Sequence, residues 1–247
     1  MSLRLHSCLL MTLSSLFAQA PQTPATPKAA APVDLTGYWV SAVTEDWLYR
    51  MVTPAKGDYT SVPLNAEGRK LADAWDPTKD EAAGDKCKAY GAPFIMRIPG
   101  RVHITWQDDN TLKVEKDSGT QTRLFHFGGV IMSVIGGPGE GLGRQGASRA
   151  SWDIEPGGRR VYSGAGLKVV TTQMKPGYLR KNGVPYSANT VLTEYYDRVN
   201  EPNGDSWLIV ETIVEDPAYL TQPFITSTHF KKQADSTGWN PTPCAAR

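Results

Sequence analysis

From residue 34 onward, apolar and polar side chains alternate in short bursts. Val102, Ile104 and Trp106 alternate with His103, Thr105 and Gln107, and Leu112 and Val114 alternate with Lys113 and Glu115. Asp108-Asp109-Asn110 separates the two bursts, and Asp117-Ser118-Gly119 precedes a third over 120–127. A period of two, broken by turn residues, marks short antiparallel strands joined by tight connections. The same pattern predicts strands over 37–43, 47–53, 94–98, 150–154, 166–174, 189–198, 206–214 and 223–232. Residues 64–77 break the pattern. There Asn65 is placed to cap a helix, Leu71, Ala74 and Trp75 share one face at helical spacing, and Asp76-Pro77 ends the run. Residues 78–92 read as a long loop, and the glycines between 136 and 146 read as a second, Gly-rich one. Many short strands with regular turn signals predict an all-β fold. The order of the strands suits an antiparallel, up-and-down, calycin/lipocalin-like β-barrel with one short helix and a Gly-rich loop.

At 247 residues and 40% hydrophobic, the chain can bury one sizeable core. The reading is therefore a single β-barrel domain over 34–247. Before it, residues 1–20 have the form of a secretory signal peptide. Arg4 and His6 precede an apolar run over 8–17, and Ala18-Gln19-Ala20 supplies an A-x-A cleavage site. Residues 21–33 are rich in Pro and Ala and read as a linker. No segment is long and apolar enough to predict a membrane span. Lys plus Arg number 26 against 25 for Asp plus Glu, a net charge of +1. Such a balance gives no general attraction to nucleic acid or anionic membranes. Removing the leader leaves Cys87 and Cys244, an even pair in a chain bound for the periplasm or the extracellular space, which predicts a disulfide.

No motif calls for a cofactor or metal. Gly141 to Gly146 matches G-x-G-x-x-G in form, but a strand-like run follows where a dinucleotide site needs a helix. His103, His126 and His229 have no paired metal-ligand spacing. Two glutamates stand on otherwise apolar strand faces: Glu194 beside Leu192 and Tyr196, and Glu211 beside Trp207, Ile209 and Ile213. A carboxylate in that setting is either paired, exposed or tuned for acid–base work. Candidate catalytic groups are Glu194, Glu211, His126, His229 and Tyr186. Candidate ligand contacts are Trp106, Arg123, Tyr196 and Trp207, since aromatic faces with occasional polar tips suit a largely apolar cavity.

Several segments, in order, resemble a family of exported, β-rich bacterial proteins: DLTGYW, LNAEGRKLADAWDP, CKAYGAP, ASW, NGVPYSANTVLTEYY and VEDPAYLTQPF. The resemblance covers most of the chain from Asp34. It implies a β-rich exported fold, often with a C-terminal cysteine, and no established reaction. Relatives often carry histidine at the positions of Tyr186 and Ala147. Three functions follow as alternatives. The first is a binder of a small, largely apolar or aromatic ligand. The second is a cofactor-independent acid–base enzyme such as a lyase, isomerase or hydratase. The third is a structural or interaction domain. Oligomeric state is left open.

Overall fold

The computed structural model describes residues 25–128, 143–153 and 165–246. The proposed leader, and most of the Gly-rich loop, lie outside the described residues. Eleven strands are described: β1 (Gly37–Ala42), β2 (Arg101–Asp108), β3 (Thr111–Lys116), β4 (Gln121–Phe127), β5 (Ala147–Trp152), β6 (Ala165–Thr172), β7 (Gly177–Tyr178), β8 (Pro185–Tyr186), β9 (Val191–Asn200), β10 (Ser206–Glu215) and β11 (Phe224–Gln233). Nine of them close a barrel in the order β1-β11-β10-β9-β6-β5-β4-β3-β2, while β7 and β8 form a separate hairpin. The all-β, lipocalin-like barrel predicted from the alternation is therefore present. It departs from a pure up-and-down meander at one seam, where β4 and β5 run parallel.

The period-two pattern sorts side chains as expected. Leu112, Val114 and Lys116 of β3 are buried, as are Leu208, Val210, Thr212 and Val214 of β10. Trp39, Phe125, Tyr196 and Phe230 are fully buried in one contiguous cluster inside the barrel. Burying a large apolar side chain contributes about 1.5–3 kcal/mol, so this cluster is a main source of stability.

One end of the barrel is covered by a helical cap. It comprises α1 (Trp47–Met51), α2 (Ala66–Asp73), α3 (Pro77–Ala82), a 3₁₀ turn (Lys88–Tyr90), α4 (Ala92–Ile95) and the β7–β8 hairpin. Two predicted strands are thereby corrected. Residues 47–53 contain α1, and 94–98 begin inside α4. Both runs are short and apolar, and period alone does not separate a strand from a single helical turn. The flanks decide for α4: Gly91 caps it, Pro93 sits in its first turn, and Pro99-Gly100 follows. Phe94, Ile95, Met96 and Ile98 then plug the barrel, joining its interior cluster.

The helix read over 64–77 exists as α2, with Asn65 Oδ1 accepting from the Gly68 amide at 2.8 Å. Its packed face differs from the predicted one. Gly68 and Ala72 are buried, whereas Leu71 is 38% exposed. Gly68 is required by close approach, since a Cβ there would lie 2.6 Å from the Tyr219 carbonyl oxygen. The predicted long loop over 78–92 instead holds α3 and the 3₁₀ turn. α2 ends at Asp73, and Asp76-Pro77 instead begins α3, because proline at the first helical turn has no amide to lose there. Asp76 caps it, accepting from the Thr78 amide at 3.0 Å.

Both ends of the described chain are fastened. Cys87 and Cys244 form the predicted disulfide. Near it, Thr242 donates its amide to the Asp117 carbonyl, and Ala245 donates to the Tyr90 hydroxyl. At the other end, the described part of the Pro/Ala-rich segment lies against the barrel. Pro27 accepts from Trp152 Nε1 at 2.8 Å, and Leu35 accepts from Trp39 Nε1 at 3.0 Å.

Candidate functional site

The barrel interior is occupied by its own side chains. Glu194 and Arg123 meet there as a bidentate pair at 2.9 and 2.6 Å, and both are essentially inaccessible to solvent. Arg123 Nη2 also donates to Thr171 Oγ1 at 3.2 Å, and Ser148 is bonded to the same hydroxyl. Tyr196 donates its hydroxyl to Glu194 Oε1 at 3.1 Å. Burial opposes the charge on Arg123, but the Glu194 carboxylate outweighs it and raises the arginine pKa. Burial, then the charge of Glu194, pushes the Tyr196 phenol well up. Glu194, Tyr196 and both terminal nitrogens of Arg123 are thus bonded to one another in a buried structural network, with Arg123 Nε outside it.

The other predicted residues do not converge on this pair. His126 shares a face with Leu124, opposite the buried Arg123 and Phe125, and contacts Thr111 Oγ1 at 3.3 Å on the outer side. His229 also faces outward, near Thr44, Ser227 and the Glu45 carboxylate at 3.5 Å. Glu211 is exposed on β10. Trp207 lies on that same outer face under Lys231. Trp106 packs with Phe127 and Trp152, ring centroids 5.5 and 6.3 Å away, in a separate aromatic group. Of the five candidate acid–base groups, Glu194 alone lies inside the barrel.

Tyr186 is in the cap, where it helps wall a cleft of about 390 Å³ between α2, α3 and the β7–β8 hairpin. Its other walls include Leu71, Trp75, Asp80, Lys88, Tyr178 and Tyr219. Trp75 is held by the hairpin turn. Gly183 has φ +84°, and a Cβ there would fall 2.1 Å from Trp75 Cγ. The turn is in turn held by Asn182, whose side-chain amide donates to the carbonyls of Ala55 and Asp58 at 3.1 and 2.9 Å. Tyr186 is 1% exposed and rests against Gly91 and Gly177, which leave room for its ring and hydroxyl. Burial pushes its phenol pKa up, so the group stays protonated at neutral pH. The Tyr186 hydroxyl and Trp75 Nε1 are buried and have no hydrogen-bond partner among the described residues.

The polar edge of the cleft is Asp80. One carboxylate oxygen takes a bond from Lys88 Nζ at 2.5 Å and the other from the Tyr178 hydroxyl at 2.8 Å. Burial, then Asp80, pushes the Tyr178 phenol up. Alternation could not find Asp80, because it stands on α3, in a stretch read as loop. The available signal was Asp76-Pro77 as a helix start, which would have placed Asp80 one turn in, on a face with Trp75 nearby.

With the geometry in view, no protein-family model matches the chain, and comparison with characterised proteins and with solved structures finds no match.

Proposed function

We propose that this chain is an exported binding protein for a small, largely apolar or aromatic molecule, held in the cap cleft rather than in the barrel lumen. The cleft wall carries this reading. Trp75, Tyr178, Tyr186, Tyr219 and Leu71 surround about 390 Å³, within the roughly 300–1,000 Å³ usual for small-molecule sites. Aromatic walls give large contact area, and Tyr hydroxyls and the Trp N–H add orientation. The lumen offers no equivalent, since Phe125, Tyr196, Phe230 and the Arg123–Glu194 pair fill it. Support for export comes from the leader pattern at 1–20 and from the Cys87–Cys244 disulfide, a bond that persists in oxidising compartments.

Titration with N-phenyl-1-naphthylamine, a neutral aromatic probe that brightens in apolar surroundings, tests the reading. One saturable site is expected, weakened about tenfold or more (~1.4 kcal/mol) by Leu71→Glu. Leu71 is half exposed, so this change places a charge on the wall without disturbing the core. Trp106→Ala should leave binding unchanged. Absence of saturable binding, or binding indifferent to Leu71→Glu and Tyr219→Ala, sinks the proposal.

A further inference from the structure

Three arginines are buried between the cap and the barrel with part of their hydrogen-bonding capacity unused. Arg50, Arg97 and Arg180 are 6%, 2% and 1% exposed. Arg50 donates to Glu45 and to the Arg97 carbonyl, the latter at 2.9 Å. Arg97 donates to Asp46 at 2.7 Å, and Arg180 donates to Ser61 Oγ at 2.9 Å while lying 4.3 Å over the Tyr49 ring. Yet Arg50 Nη2, Nε and Nη1 of Arg97, and Nε and Nη1 of Arg180 are buried without a partner among the described residues. A buried donor left unpaired is unfavourable, more so when it is charged. The three charges also press on one another. Burial, and then the charge of Arg97, lowers the pKa of Arg180; for Arg50, Glu45 opposes the same two effects.

A cavity of about 70 Å³ opens beside this cluster, with Arg50 and Lys181 among its walls together with Tyr49, Met51, Val52 and Phe94. One water occupies about 30 Å³ of the liquid, so the space suits a group of a few heavy atoms. The rim is apolar and faces solvent. In α1 the usual arrangement is inverted: Arg50 is turned inward, while Trp47, Leu48, Met51 and Val52 are 63%, 47%, 61% and 57% exposed. Trp47 pairs with Met51, and Leu48 with Val52, at the i, i+4 spacing that places them on one side. Cations below and an apolar shelf above are complementary to a ligand with an anionic head and an apolar tail.

We propose that this pocket binds a free amphiphilic oxyanion, its carboxylate-like head taken by Arg50 and Lys181 with the charges of Arg97 and Arg180 behind the pocket wall, and its apolar part laid along Met51, Val52 and the outer side of α1. At the pocket wall Arg50 Nη2 is left to donate, and charged hydrogen bonds of this kind are the stronger class. The site is separate from the cap cleft, and the hairpin tip carrying Arg180, Lys181 and Gly183 contributes residues to both.

Isothermal titration of the full chain with octanoate, acetate and inorganic phosphate is the test. Octanoate should bind one to one and more tightly than acetate or phosphate. Lys181→Glu and Arg180→Met should each weaken octanoate binding at least about tenfold, and Met51→Asp should weaken octanoate more than acetate. Leu71→Glu should leave octanoate binding intact, so loss of the cleft reading and loss of this one are separable. Lys181 is partly exposed, so its variant carries the test if Arg180→Met fails to fold. No saturable octanoate binding, or binding untouched by Lys181→Glu, overturns the proposal. So does binding to phosphatidylglycerol vesicles with none to free octanoate, which would mark a membrane contact instead.

Discussion

At the scale of single residues, the buried charges divide into those with partners and those without. Glu194 and Arg123 form a complete bidentate pair with Tyr196 and Thr171 around it. Removing one partner strands the other in a low-dielectric interior, so Glu194→Gln should destabilise the fold by about 3–5 kcal/mol, read from denaturant midpoints. A ligand-binding or catalytic role would instead leave stability near wild type. Lys116 is the contrasting case. It is 3% exposed, its Nζ has no hydrogen-bond partner, and Asp117 Oδ1 is 3.9 Å away. Burial lowers its pKa from 10.5 to about 7, with Asp117 opposing and Arg50 and Arg101 assisting. Between those values the unfolded chain holds a proton that the native protein has released, so native stability rises as pH increases through this window. The gain should be on the order of 1 kcal/mol per pH unit. It should vanish from the difference between wild type and Lys116→Met when both are unfolded in denaturant at pH 7 and pH 9.5 if Lys116 keeps an ordinary pKa. Asp216 shows how a family-like motif is spent on structure. It accepts from the Ser187 amide and hydroxyl, the Thr190 hydroxyl and the Ala218 amide. The NGVPYS and VEDP segments are thus clasped together.

Among the elements, the cap makes the candidate sites, and the β7–β8 hairpin makes the cap rigid. Its turn needs glycine at 183 on two counts, the positive φ and the Trp75 ring against it. Gly183→Ala should therefore cost well over the roughly 1 kcal/mol of an ordinary backbone penalty. It should also shift Trp75, seen as a change in tryptophan fluorescence and weaker naphthylamine binding, while the far-ultraviolet signal of the barrel persists. The strands were legible because each exposes one face and buries the other, which writes a period of two into the sequence. The cap was not. α1, α3 and α4 are single turns or little more, too short to display a helical period, and α1 turns its apolar side chains outward. Pro77 and Pro93 in first turns were the available signals for α3 and α4.

For the whole molecule, closure of the barrel and fastening of the tail are coupled. The Cys87–Cys244 bond spans 157 residues and joins the cap's 3₁₀ turn to the C-terminus. In the chain-entropy model a loop of that length is worth about 5 kcal/mol, so the Cys87→Ser, Cys244→Ser double variant should unfold at markedly lower denaturant than the oxidised protein. A difference near zero would mean that the tail's hydrogen bonds to Asp117 and Thr120 already hold it. The described residues contain no helix long and apolar enough to cross a membrane.

The sequence alone determined the all-β class, most barrel strands, the α2 cap at Asn65 and the pairing of the two cysteines. These depend on local periodicity, local turn chemistry and simple counting. Only the tertiary structure decided which strand faces meet inside. It placed Glu194 against Arg123, 71 residues away in the chain, and turned His126, His229 and Glu211 outward. It also gathered Trp75, Asp80, Tyr178 and Tyr186 around one cleft, and packed Arg50, Arg97 and Arg180 together beside another. A strand's period tells which residues share a face but not which face becomes the interior when both carry apolar side chains. That choice is made by barrel closure and by the cap packing over its end, where contacts between distant segments decide the free energy.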